Sequence, residues 1–151
     1  DGSGAENLVV KTGGARNKNP LNEITYNESG NPVSSEHLFM EGTEIFNFTL
    51  DVVPKMTSEV LEKNNLQMDD IDLFVFHQAN KYMLNFIRKK IKIPEEKFFI
   101  CMENTGNTVS STVPICLYEA ENQGKLNGKV LLSGFGVGLS WASCVVERVS
   151  G

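Results

Sequence analysis

Between Asp70 and His77 the chain reads IDLFVF, six residues of which only Asp72 is polar. The run is too short for a buried helix and lacks the alternation of a strand with one wet face. It predicts a strand covered on both faces, as in parallel sheets flanked by helices. Asp69 and Asp70 supply the turn before it.

The neighbouring sequence supports that layout. Ile45, Val52, Val53, Met56, Val60 and Leu61 recur at three- and four-residue spacing, which predicts an amphipathic helix from about Glu41 to Asn64-Asn65. Pro54 lies inside it, and its missing N–H predicts a kink or break. A second helix is expected from about Asn80 to Lys92, stopped by Pro94. KFFICM, 97–102, reads as a strand, and VSSTVPICLYEAENQG, 109–124, as a helix closed by Gly124 with Pro114 near its first turns. KVLLSGF and SWASCVVERV read as two strands joined around Gly136-Val137-Gly138. Near the start, AENLVVK, 5–11, is a short strand candidate. Residues 12–36, rich in Gly, Asn, Ser and Pro, form a long surface excursion. Alternating strands and helices imply an α/β class with a parallel or mixed sheet.

A chain of 151 residues, 40% hydrophobic, suits one core. Its net charge of −5 argues against nucleic acid or an anionic membrane as partner. No apolar stretch approaches the roughly 20 residues of a membrane span. Cys101, Cys116 and Cys144 cannot pair completely within one chain and show no metal-site spacing, so each reads as a small apolar residue in a reducing, cytoplasmic setting. Opening at Asp1 in DGSGA, the chain reads as a piece of something longer.

In such sheets ligands bind at the carboxyl ends of the strands. Three turns qualify: one carries His77, Gln78 and Asn80, another Asn104 to Asn107, and the third is Gly136-Val137-Gly138. With parallel strands, His77 and Asn107 share one end of the sheet. An imidazole and an amide donor aimed at one carbonyl oxygen would stabilise charge developing there, as at an oxyanion or enolate. An amide is no general base, so the pair suggests carbonyl polarisation rather than a hydrolytic triad. The same residues also have ordinary uses, His77 as a hydrogen-bonded strand end and Asn107 as a turn or cap residue. GFGVG is followed by β-like sequence, so the dinucleotide fingerprint fails. His37 lies in the polar excursion without evident role.

HQAN at 77–80, NTGNTVSSTVP at 104–114 and GFGVGLSWASCVVE at 134–147 resemble the carboxyl-terminal half of 3-oxoacyl-acyl-carrier-protein synthase III. LFMEGTEIFNF at 38–48 is similar to that family's Met-x-Gly-x-Glu-Val-Phe entry to a long helix, and DGSGA resembles a segment near the end of its first half. The resemblance implies a thiolase-like fold, layered α-β-α-β-α in the full enzyme, of which this chain is essentially the second α/β half. Residues 1–11 would end the first half, 12–36 form a variable surface excursion, and 37–151 form the core.

It further implies a nucleophilic cysteine supplied by the amino-terminal half, which none of the three cysteines here matches. An acyl-CoA primer would load that cysteine and condense with malonyl-acyl-carrier protein after decarboxylation. These are substrates, and no cofactor or metal is implied. His77 and Asn107 match the catalytic donors to the malonyl thioester carbonyl. Gly136-Val137-Gly138 matches the loop whose backbone N–H faces the acyl thioester oxygen, with Val137 where glycine is frequent. Asn80 matches a residue of the pantetheine channel. Lys81 and Tyr82 stand where an arginine often docks the carrier or CoA, Tyr82 replacing it.

Lys81, Arg88, Lys89, Lys90 and Lys92 give the second helix a basic face, suited either to solvent or to an acidic acyl carrier protein. Partners implied are the carrier, acyl-CoA, the amino-terminal half and a second copy in a homodimer, and the fragment alone would be inactive. Alternatives are a non-catalytic thiolase-fold module that binds the carrier, a specialised-metabolite condensing enzyme, or a structural half.

Overall fold

The apolar run after Asp70 forms a strand in which every residue is buried. In the computed structural model, which describes residues 1–149, this strand lies in the larger of two units, residues 48–135 with 141 onward. The smaller unit comprises residues 1–47 and 136–140.

In the smaller unit four two-residue strands form two antiparallel pairs: β1 (Leu8–Val9) with β4 (Phe39–Met40), and β2 (Thr25–Tyr26) with β3 (Pro32–Val33). The strand expected over 5–11 is therefore shortened, because Gly2–Asn7 is wound into a 3₁₀ helix. Asp1 starts that helix, its carboxylate accepting from the Ser3 N–H (2.9 Å) and its amino group donating to the Leu139 carbonyl (2.7 Å). The excursion is a closed loop: buried Thr12 donates its backbone N–H and its hydroxyl to Ser35 at 3.1 and 2.7 Å. Most residues between these ends are exposed.

Helix α1 spans Gly42–Lys63 and passes through Pro54 unbroken, against expectation. Proline cannot donate to the carbonyl four residues back. That carbonyl, on Leu50, instead accepts from the Lys90 ammonium at 2.8 Å. The helix ends where expected, with Asn65 in the left-handed region and the Leu66 N–H returning to the Leu61 carbonyl.

The rest of the larger unit alternates strand and helix: β5 (Leu73–Phe76), α2 (Lys81–Ile91), β6 (Phe98–Phe99), α3 (Thr112–Asn122), β7 (Lys129–Gly136, its last residue in the smaller unit) and β8 (Ser140–Glu147, beginning there). The sheet order is β6-β5-β7-β8, with β5 parallel to both β6 and β7. The 97–102 strand is thus reduced to Phe98–Phe99. Leu73, Val75, Phe99 and Val130 pack with Cys116 and Ala120 of α3 in one apolar cluster.

Asp72, the polar interruption in IDLFVF, accepts from the Lys129 N–H at 2.8 Å. Gly128 makes this possible: its φ is +56°, and a Cβ there would overlap the Asp72 carboxylate. Asp72 therefore fixes the start of β7 beside β5.

The cysteines depart from the reading of three separate apolar residues. Cys101 and Cys116 form a disulfide, with Cα atoms 5.9 Å apart. The chain leaving β6 and the second turn of α3 meet over the same apolar cluster, which brings the two together. Cys144 is exposed.

Candidate active site

His77 follows β5 directly, its backbone N–H donating to the Ser133 carbonyl of β7 at 2.8 Å. The parallel sheet thus delivers the imidazole to its carboxyl end. Gln78 turns the other way and is 1% exposed. Its amide nitrogen donates to the carbonyls of Phe76 (2.8 Å) and Phe99 (3.4 Å), while its oxygen accepts from the Cys101 N–H (3.0 Å). One buried side chain so ties the ends of β5 and β6 together where β6 stops pairing. Asn80 caps α2, its side-chain oxygen accepting from the Met83 N–H at 2.8 Å.

The His77 imidazole is half-buried, its ring edge-on to Phe135 with centroids 5.5 Å apart. Its Nδ1 lies 2.7 Å from the hydroxyl of Thr112, the first residue of α3. That hydroxyl donates to the Val109 carbonyl at 3.0 Å. The Val109 N–H in turn donates to the Asn107 side-chain oxygen at 2.9 Å. Thus His77 and Asn107, expected at the same end of the sheet, are joined by a hydrogen-bonded path through Thr112 and Val109. A direct tether also crosses the gap, from Asn107 Nδ2 to the Ala79 carbonyl at 3.5 Å.

Val109 carries the strain of this arrangement. It is β-branched with φ +57°, in a region such residues rarely occupy. Bonds to both of its peptide groups, from Asn107 and Thr112, hold it there. The Asn107 oxygen is engaged by Val109 and its amide nitrogen reaches the Ala79 carbonyl, and the residue is exposed. An amide nitrogen carries two protons, so Asn107 keeps one N–H to donate.

Burial holds the His77 pKa below its ordinary value of 6.5, and the nearby Val109 carbonyl, which favours a protonated ring nitrogen, opposes part of that effect. The imidazole is therefore neutral near pH 7. No group of three acidic, His or Cys side chains suited to a metal occurs among the described residues.

Other expected site residues are placed as follows. Lys81 forms an ion pair with Glu103 at 3.3 Å, and Tyr82 is 72% exposed. On the basic helix, Arg88 pairs with Glu95 and donates to the Ile93 carbonyl, and Lys90 serves Leu50. Of the five cations, Arg88 and Lys90 are thus engaged in the fold and Lys81 pairs at its exposed rim, leaving Lys89 and Lys92 facing solvent. Gly136, Val137 and Gly138 belong to the smaller unit. There Val137 lines an apolar cavity of about 440 Å³ with Ala5, Leu8, Val9 and Leu38. Its carbonyl accepts from the Ser140 hydroxyl at 2.6 Å.

Sequence reasoning missed Thr112, Val109 and the structural role of Gln78. For Thr112 a signal exists: Thr112, Cys116 and Ala120 are spaced by four and all buried, so a hydroxyl heads an otherwise apolar stripe. Val109 acts through its backbone, which no side-chain pattern reveals.

The carboxyl-terminal family model of 3-oxoacyl-[acyl-carrier-protein (ACP)] synthase III matches residues 61–148, more than half of the chain. Among curated proteins, beta-ketoacyl-[acyl-carrier-protein] synthase III of Clostridium perfringens is 36% identical over 149 residues, which is 97% of this chain and 44% of that protein. The enzyme of the same name from Clostridium tetani is 35% identical, over 99% of this chain and 45% of its own length. The chain therefore spans under half the length of these relatives. A crystal structure of a 3-oxoacyl-(acyl-carrier-protein) synthase III superposes with a TM-score of 0.93 at 44% identity, over 98% of this chain and 45% of that one. The Thermus thermophilus structure gives 0.80 at 31% identity, over all of this chain and 44% of its own. Thiolase-like in fold and matching their carboxyl-terminal part, the chain belongs to the 3-oxoacyl-[acyl-carrier-protein] synthase III family.

Proposed function

We propose that the chain is the carboxyl-terminal catalytic half of an acyltransferase that condenses an acyl-CoA primer with malonyl-acyl-carrier protein, starting fatty acid synthesis. An amino-terminal half supplies the nucleophilic cysteine, which takes the acyl group from CoA as a thioester. Malonyl-acyl-carrier protein then loses CO₂, and the resulting enolate carbon attacks the thioester and expels the cysteine sulfur. Alone, the chain is inactive because it lacks that nucleophile.

The supporting observation is the hydrogen-bonded path from His77 through Thr112 and Val109 to Asn107. Decarboxylation gathers negative charge on the malonyl thioester oxygen. Groups held in place beforehand lower the barrier because they need no reorganisation as that charge appears. Asn107 donates from Nδ2, and His77 contributes from Nε2. Backbone N–H groups of Gly136-Val137-Gly138 serve the acyl thioester oxygen, Asn80 lines the pantetheine path, and Lys81, Tyr82, Lys89 and Lys92 meet the carrier. The working protein is a cytoplasmic homodimer.

The test is an acyl-transfer and condensation assay on this chain joined to an amino-terminal half, with a panel of acyl-CoA primers and malonyl-acyl-carrier protein. Incorporation of a primer into a 3-oxoacyl product is the expected result. A folded protein that binds the carrier without turnover would replace this reading with a non-catalytic carrier-binding module.

A further inference from the structure

The bridge between Cys101 and Cys116 closes a stretch whose ends lie 15 positions apart. Inside that stretch sit Thr112, Val109 and Asn107, the groups through which the path from His77 runs. Both ends of the bridge are anchored in the fold. The Cys101 N–H is held by the buried Gln78 side chain, and Cys116 is fully buried on α3 in the cluster of Leu73, Val75 and Val130. The segment between them is fastened differently. Its hydrogen bonds largely stay within it, from the Gly106 N–H to Met102, the Val109 N–H to Asn107 and the Ser111 N–H to Thr108. Outward, before α3 begins, it holds on through the exposed Lys81–Glu103 ion pair and the 3.5 Å contact from Asn107 to the Ala79 carbonyl. An exposed ion pair and a long hydrogen bond restrain a backbone weakly. A covalent link joining the ends of such a segment removes many of the open arrangements it could otherwise visit.

We infer that Cys101 and Cys116 form a reversible modification site, opened and closed by exchange with small-molecule thiols and disulfides, and that closing it orders the segment carrying Asn107. Cys101 is half-buried and Cys116 is not exposed, so a reagent from solution reaches the bridge at Cys101. In a cytoplasmic protein, the setting proposed above, a bridge of this kind is made and broken by the surrounding thiol pool. To close it, the Cys101 thiolate attacks a small-molecule disulfide and expels one half as a thiolate. The Cys116 thiolate then attacks the Cys101 sulfur of that mixed disulfide and expels the other half. Two protein thiols become one S–S bond, and the small disulfide is reduced to two thiols that carry off the two protons. Opening runs the same steps backwards, entering at Cys101. The bearing on turnover rests on the role proposed for Asn107, whereas the exchange and the ordering belong to the chain itself.

The test uses the chain joined to an amino-terminal half and equilibrated with either oxidised or reduced glutathione. Free thiols are alkylated and the peptides weighed, and amide hydrogen exchange is followed peptide by peptide. In oxidised glutathione the peptides bearing Cys101 and Cys116 should be recovered joined, and in reduced glutathione both cysteines should be alkylated, with the cycle repeatable. Exchange over residues 102–111 should be slower in the bridged protein on the order of tenfold or more. Cys101→Ser should remove that dependence on the buffer. Two alkylated thiols in oxidised glutathione overturn the inference, as does a bridge that survives excess reduced glutathione. So does a bridge that leaves exchange over 102–111 unchanged, or a buffer dependence that persists in Cys101→Ser. Should that variant fail to fold, the two buffers compared on the unsubstituted protein decide alone. Failure of the condensation assay would remove the proposed function and leave the measured exchange and ordering standing.

Discussion

At the scale of single residues, His77 and Gln78 are neighbours with opposite duties. His77 loses affinity for a proton on folding because burial penalises the imidazolium. A group whose folded pKa is lowered binds more protons unfolded, so its stabilising contribution is complete above the unfolded pKa and fades as pH falls through 6.5 toward the folded value. Urea unfolding at pH 7.5 and 5.5 checks this: the unsubstituted chain loses more stability on acidification than His77→Gln does. Gln78 is the structural member. Replacing it with Leu leaves the Cys101 N–H and two carbonyls without their partner, at a cost of about 2–3 kcal/mol in the same measurement. The place of His77 at the carboxyl end of the sheet was legible because the residue follows a buried strand in the sequence. The division of labour was not, since HQ gives no sign of which side chain turns inward.

At the scale of elements, Pro54 shows how a local rule yields to a distant partner. The sequence places proline in the middle of a strong apolar period, and local chemistry alone predicts a break. The Leu50 carbonyl that Pro54 leaves without its helical donor is served by Lys90, forty positions after Leu50 on α2. Lys90→Met should cost about 0.5–1 kcal/mol, modest because the ammonium is exposed. In a Pro54→Ala background the Leu50 carbonyl regains its helical donor, so the same substitution should cost less. A double-mutant cycle by chemical denaturation reads the difference.

The other elements were largely visible: α2 with its Asn80 cap, α3, and the alternation that gives a mostly parallel sheet. The short strands β1 to β4 were not, because pairs of two residues carry no periodicity. The path from His77 to Asn107 was hidden for another reason. Its middle link is a backbone group at Val109, and its direction depends on a helix start that propensity locates only to within a turn.

At the scale of the whole molecule, the edge strand β8 bears on association. Trp141 and Val146 are each 42% exposed, and Cys144 is also exposed. An edge strand with apolar side chains in water invites pairing with another chain. We expect self-association of the isolated chain in sedimentation, reduced by Val146→Lys; a monodisperse monomer at all concentrations would oppose this.

The central claim, that His77 serves the malonyl decarboxylation half of a condensation, has a direct measurement. In the complete enzyme, acyl transfer to the cysteine and decarboxylation of malonyl-acyl-carrier protein are timed separately for the unsubstituted protein and for His77→Ala. Decarboxylation is expected to fall on the order of 100-fold or more, as when a preorganised transition-state donor is lost, with acyl transfer largely intact. Equal loss of both half-reactions would contradict the role assigned to His77.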